Sequence, residues 1–311
     1  MPAESGGNSG GYGPAVEKWV LDYRLKETNP LDLQVAFFKF GGSTFRAPNF
    51  EEIIAARIKQ FRKLHKGGYP LILTTGGGKV HQVTRGMSEA LGVSDAVFRE
   101  SAGRALATQA HTIADLVGET GLYVEPGALD YITGGMLKDK IPVLSTIGPK
   151  YIDHAEIITN GGDRQYVSEI PQDKSDAHTL VIAHYFGQKR VIFGKVTRGG
   201  IWVVDPNVTE NDGDMYLALQ GQLHRLGYTE NQRLAELTAT DVLEGKICRL
   251  GGDNRTDHLA EDLALRYFLN PKSSVEQIRV VDITDPDQIQ KAVEQHGSGR
   301  RSPFGSILLK A

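Results

Sequence analysis

The chain has 311 residues, of which 40% are hydrophobic and 23% charged, with 36 glycines. This composition excludes a disordered, collagenous or coiled-coil chain and leaves room for one large domain or two modest ones. The net charge is −3 without a basic block, which argues against nucleic-acid binding, and the single cysteine, Cys248, excludes an internal disulfide or a thiolate zinc site.

Residues 1 to about 14 are rich in Gly, Ser and Asn and read as a mobile tail. They show neither the charged start nor the apolar core of a signal peptide. Residues 35–40 (VAFFKF) form a strand-favouring run that ends at Gly41-Gly42. A helix follows over 51–68, with Ile53, Ile54, Ile58, Phe61 and Leu64 at helical spacing and Gly67-Gly68 as its stop. Residues 70–75 (PLILTT) give a second buried strand, closed by Gly76-Gly77-Gly78. The pattern over 101–119 is helical, and 141–146 (IPVLST) is a third strand. Residues 173–186 read as a helix that opens on polar capping residues. Residues 190–196 (RVIFGKV) and 200–206 (GIWVVDP) read as two strands around a Gly199-Gly200 turn. The stretch 207–233 is polar and mixed, and reads as an insertion or lid. A helix near 257–269, a strand at 278–283 (IRVVDI) and a last strand at 306–310 complete the chain.

Alternating strands and helices predict an α/β fold: an open, mostly parallel sheet with helices on both faces. No apolar run approaches the roughly 20 residues that cross a bilayer. The expectation is a soluble, cytoplasmic protein with no membrane or nucleic-acid partner.

Three strands end in glycine turns: Lys39-Phe-Gly-Gly-Ser43, Gly76-Gly-Gly-Lys79 and Gly199-Gly200. Glycine lets backbone N–H groups approach an anion, and a helix starting beyond the turn adds its positive end. Ligands of open α/β sheets gather at the carboxyl ends of strands. The set therefore predicts a phosphate cradle, with Lys39 inside it. The usual nucleotide signatures are missing. Gly78-Lys79 is followed by Val80 rather than Ser or Thr, and His81 stands where a dinucleotide fingerprint needs its third glycine.

Taken together, these segments resemble the amino acid kinase superfamily from about Leu33 to Lys310. Lys39–Ser43 resembles its first phosphate loop, and Thr75–Lys79 its second glycine loop. Lys174–His178 resembles the segment that carries the superfamily's aspartate, here Asp176. Thr197–Pro206 resembles the nucleotide-binding segment, and Arg279–Asp282 with Gly305–Leu308 resembles the closing strands of the uridylate kinase branch. Within that branch, 101–116, 148–156 and 169–176 are similar to segments of the molybdenum storage protein subunits. The resemblance implies one domain over 15–311, with a phosphate and acceptor lobe over 33–170 and a nucleotide lobe over 171–311. It implies ATP with Mg²⁺, and molybdate or tungstate as a stored oxoanion. It also implies a homo- or hetero-hexamer built as a trimer of dimers.

Phosphoryl transfer needs positioning and charge neutralisation more than covalent chemistry. By this reading Lys39 neutralises the β/γ-phosphates and Lys195 supplies a second positive charge. Asp176 orients the first lysine or binds Mg²⁺. The amides of Gly41, Gly42, Gly76, Gly77 and Gly78, with Ser43, hold phosphoryl oxygens. Thr197, Trp202 and Asp205 belong to the nucleoside pocket, and Asp153, His154 and Glu156 to the oxoanion site. The sequence departs from the family at Arg198-Gly199-Gly200, where an acidic residue is usual. It departs again at Gln82, where a uridylate kinase places arginine, with Arg85 offset. Three functions stay open: an ATP-hydrolysing oxoanion store, a nucleoside monophosphate kinase, and a non-catalytic partner of the same fold.

Overall fold

The computed structural model describes residues 24–25, 29–146, 155–156, 175–196, 201–204, 215–218, 227, 229, 232–238, 273–296 and 304–310. In chain order the elements begin with β1 (Arg24–Leu25), β2 (Ala36–Phe40), α1 (Phe50–Lys66), β3 (Leu71–Thr75), α2 (Gly78–Leu91) and α3 (Asp95–Val117). Then come β4 (Gly121–Val124), α4 (Met136–Asp139), β5 (Ile141–Ser145), β6 (Ala155–Glu156), α5 (Ser175–Tyr185) and β7 (Arg190–Lys195). The last are β8 (Ile201–Val204), β9 (Met215–Ala218), β10 (Arg233–Leu234), β11 (Glu236–Thr238), β12 (Gln277–Asp282), α6 (Pro286–Glu294) and β13 (Ser306–Leu309).

Among the described residues the central sheet has eight strands in the order β11-β13-β12-β7-β2-β3-β5-β4. Every neighbouring pair is parallel except β12 with β13. The expected α/β class, a mostly parallel sheet clothed by helices, is what the chain adopts. The five residues of β2, β3 and β5 are buried throughout, as parallel strands covered on both faces require.

Strand periodicity divides the apolar residues between two cores. Phe37, Ile72, Val191, Phe193 and Val280 pack on one face with Leu180 and Ala183 of α5. Phe38, Phe40, Leu73, Val143 and Ile192 pack on the other, against Ile58 and Phe61 of α1, Ile113 of α3 and Ile289 of α6. Phe61 meets Phe40 edge-on with ring centroids 5.8 Å apart, an arrangement that suits the ring quadrupoles.

Several sequence expectations change here. The 190–196 and 200–206 runs do not form one hairpin: β7 lies in the central sheet, whereas β8 joins β9 and β10 in a separate three-stranded sheet. The stretch read as an insertion contributes β9, which runs parallel to β8. The helix expected from 101 starts at Asp95, where the Ser94 hydroxyl accepts from the Val97 amide at 3.5 Å. Helices α2 and α6 and strand β4 were not anticipated. The tail at 1–14 and the helix at 257–269 lie outside the described residues. No helix among the described residues is long and apolar enough to cross a membrane.

Candidate functional site

The site follows from the parity of two strands. Lys39 is two residues beyond Phe37 on β2, and Lys195 two beyond Phe193 on β7, so both lysines share the α5 face. Lys39 and Phe193 are register partners across the β2–β7 ladder. The Lys39 ammonium lies 5.3 Å from the centre of the Phe193 ring, and that of Lys195 lies 6.0 Å from it. The ring is thus an electron-rich floor under two cations.

Asp176 enters from the first turn of α5, where a carboxylate suits the positive helix end. One of its oxygens accepts from Lys39 Nζ, and the other lies 3.4 Å from Lys195 Nζ. All three side chains are buried, a placement that charged groups tolerate only when partnered. Below this cluster the Thr179 hydroxyl of α5 meets that of Thr74, the register partner of Lys39, at 3.4 Å.

The two glycine turns touch one another beside these lysines. A Cβ on Gly76 would lie 2.8 Å from the Gly42 nitrogen, and one on Gly42 would lie 3.2 Å from the Gly78 nitrogen. A Cβ at Gly76 would force the backbone to shift, and one at Gly42 would crowd it. Gly78 also has φ +53°, and a Cβ there would sit 2.4 Å from Cβ of Phe45. The N-terminus of α2 begins at this turn, and Ser175, which opens α5, is close enough that its Oγ would lie 3.1 Å from a Cβ on Gly76. Two positive helix ends therefore converge where both lysines sit, the arrangement that binds anions.

Two expected amides are not available. Gly41 N–H donates to Gly194 O and Gly76 N–H to Phe40 O, both at 2.9 Å, extending the parallel ladders past the strand ends. These glycines shape the turns through their missing side chains. Among the described residues, the amides of Gly42, Gly77 and Gly78 have no protein acceptor. Ser43 is buried, and its Oγ accepts from the Val196 amide at 3.5 Å, which ties the first turn to the end of β7.

Gln109 was not anticipated. From α3 its side-chain amide donates to Gly76 O at 2.9 Å and pins the second turn. Its contact is with a segment 33 positions away, and no local pattern announces it. Thr197, Asp205, Asp153 and His154 lie outside the described residues. Trp202 and Glu156 are placed in β8 and β6 as backbone only. His184 is packed: its Nδ1 accepts from the Ser274 amide at 2.9 Å, and burial, with a smaller push from the Lys310 charge, lowers its pKa to about 4.

No family profile matches the sequence, and no curated protein matches it. Solved structures do match. UMP kinase from Ureaplasma parvum aligns with a TM-score of 0.57 at 12% identity, covering 90% of this chain and 100% of that one. Uridylate kinase from Archaeoglobus fulgidus aligns with a TM-score of 0.55 at 14% identity, covering 89% and 100%. UMP kinase from Bacillus anthracis gives 0.52 at 11%, covering 89% and 96%. The chain thus has the fold of the UMP kinases, the amino acid kinase fold.

Proposed function

We propose that the chain binds a nucleoside triphosphate at the carboxyl ends of β2, β3 and β7, and transfers its terminal phosphoryl group to a small anionic acceptor of the nucleoside monophosphate class. The observation that carries this reading is the pair of lysines from adjacent parallel strands on one buried carboxylate, beside two touching glycine turns and two helix N-termini. A polyphosphate is the ligand whose charge and oxygen spacing such a set fits.

In this reading Asp176 is a positioning residue. Both of its oxygens face ammonium groups, which holds the two lysines together and disfavours Asp176 as a Mg²⁺ ligand. No group of three or more His, Cys, Asp or Glu able to hold a metal exists among the described residues. Mg²⁺ bound to the nucleotide, through phosphate oxygens and water, would add charge neutralisation. The chain's own part is to hold the phosphates with the amides of Gly42, Gly77 and Gly78 and to set Lys39 and Lys195 against the transferring group. As the acceptor oxygen bonds to the terminal phosphorus, the bond to the bridging oxygen breaks and the nucleoside diphosphate leaves. The lysines meet charge as it shifts toward that leaving group.

The neighbours of like fold that are called UMP kinases favour a nucleotide acceptor. Arg85, offset from the place where a uridylate kinase carries its arginine, holds its guanidinium 5.9 Å from the centre of the Phe98 ring. Oxoanion storage gains no support from the described residues.

The experiment is ATP titration by calorimetry, with ADP release measured alone, with nucleoside monophosphates and with molybdate. Acceptor-dependent ADP formation, lost in Lys39→Ala and Lys195→Ala, is the expected result. Release that responds to molybdate alone would replace this reading with storage, and ATP binding without release would leave a non-catalytic subunit.

A further inference from the structure

Strand β7 passes from core to site within a few residues. Val191, Phe193 and Lys195 alternate onto the α5 face, so Phe193 is the last apolar side chain of this strand before the site. Its ring is fully buried. Lys39 reaches the ring from the register-paired position on β2, and Lys195 from two positions ahead on β7 itself. One aromatic face thus serves two cations that arrive from different strands.

The carboxylate holds the two lysines unequally. Lys39 Nζ is in direct contact with Asp176, whereas Lys195 Nζ stands 3.4 Å from the other oxygen. The stem of Lys195 passes close to the first glycine turn, because a Cβ on Gly41 would lie 3.1 Å from its Cδ. A flexible four-carbon stem has many rotamers, and a contact of 3.4 Å restrains its charged head only weakly. The ring supplies a second restraint. Leucine or isoleucine would also fill space in the core, but an aromatic face presents negative charge density toward a cation. That attraction is strongest where water is excluded, as it is at this ring. The ring also has no net charge. A second carboxylate in its place would attract the lysines more strongly, yet it would repel the polyphosphate that the cluster is proposed to bind.

We infer that Phe193 is a positioning residue of the anion site: its π face holds the Lys39 and Lys195 ammonium groups together without adding negative charge. The consequence for nucleotide binding rests on the function proposed above; the hold on the lysines does not.

The test replaces Phe193 in the full chain with mono-, di- and trifluorophenylalanine, which withdraw electron density from the ring face in steps and change its shape little. The melting temperature without nucleotide should fall at each step, by roughly 3–6 °C in all. The same series in Lys39→Met/Asp176→Asn/Lys195→Met, which removes both cations, should show no such trend. Neither should fluorination of Phe37, a buried ring in the same core. ATP affinity should weaken in parallel, on the order of tenfold across the Phe193 series. A flat melting series, or an equal slope in the triple variant or at Phe37, would overturn the hold on the lysines. A graded melting series with unchanged ATP affinity would overturn the positioning role and leave the ring a stabilising contact alone. A parent chain that binds no ATP would remove the nucleotide reading, while the melting series would still decide whether the ring holds the lysines.

Discussion

Replacing Asp176 with asparagine keeps the side chain's volume and removes its negative charge. Lys39 and Lys195 then face a neutral amide inside the same buried pocket. At the 3.4 Å that separates Asp176 from Lys195, a unit charge pair at an effective dielectric of 20 is worth about 5 kcal/mol. Local relaxation and proton loss by one lysine reduce this, and breaking a buried pair typically costs about 3–5 kcal/mol. For a chain of this size each kcal/mol moves the melting temperature by about 2–4 °C, so Asp176→Asn should melt roughly 6–20 °C lower. Differential scanning calorimetry at pH 7.5 measures this, with ATP titration in parallel to show the loss of lysine positioning. A variant that melts within about 2 °C of the parent and binds ATP equally well would refute the shared-carboxylate account.

Three further outcomes are expected. Gly78→Ala forces a Cβ onto Phe45 in a left-handed backbone conformation, and should lower stability by about 1–3 kcal/mol and ATP affinity at least tenfold, as calorimetry would show. Gln109→Leu frees the second glycine turn from its clamp and should weaken ATP binding about fivefold, with Gln109→Glu no better because a carboxylate cannot donate to Gly76 O. Stability should fall as pH drops from about 6.5 toward 4. Burial holds His184 at about 4, while His296 is held at about 3 by burial first and then by the charges of Arg190 and Arg279. The unfolded chain takes up these protons near pH 6.5 and the native chain resists, so the stability present above 6.5 is lost on acidification, on the order of 3 kcal/mol per histidine. Thermal melts across that range check the slope, and His184→Asn should reduce it; a flat wild-type profile would contradict the buried neutral state.

The sheet was legible where strands carry short apolar runs, followed by glycine turns at β2 and β3, as at β2, β3, β5 and β7. Their neighbours were not, because pairing between distant segments leaves no local trace: 200–206 reads like the second arm of a hairpin and yet joins another sheet. Helix α6 was missed although Pro286 at its first turn and the Asp285 cap mark its start; its nine residues bury only Ile289, Ala292 and Val293. Strand β4 escaped because an edge strand needs only partial burial, and just Val124 of its four residues is buried. At the site, Lys39 stood out as a charge at the end of an apolar strand. That Gly41 and Gly76 would spend their amides on the ladders, and that Gln109 would reach the second turn, depends on tertiary geometry.

Strand β7 lies directly against β2, although more than a hundred residues separate them along the chain. Under the proposed function, neither half of the polypeptide would hold a polyphosphate alone, because each supplies one ammonium group and the carboxylate travels with the later one. Nucleotide affinity would then be a late reporter of folding, gained only when two remote stretches have found each other. A chain cut between Thr146 and Ser175 should be inert as separate pieces and recover binding only when the pieces are mixed.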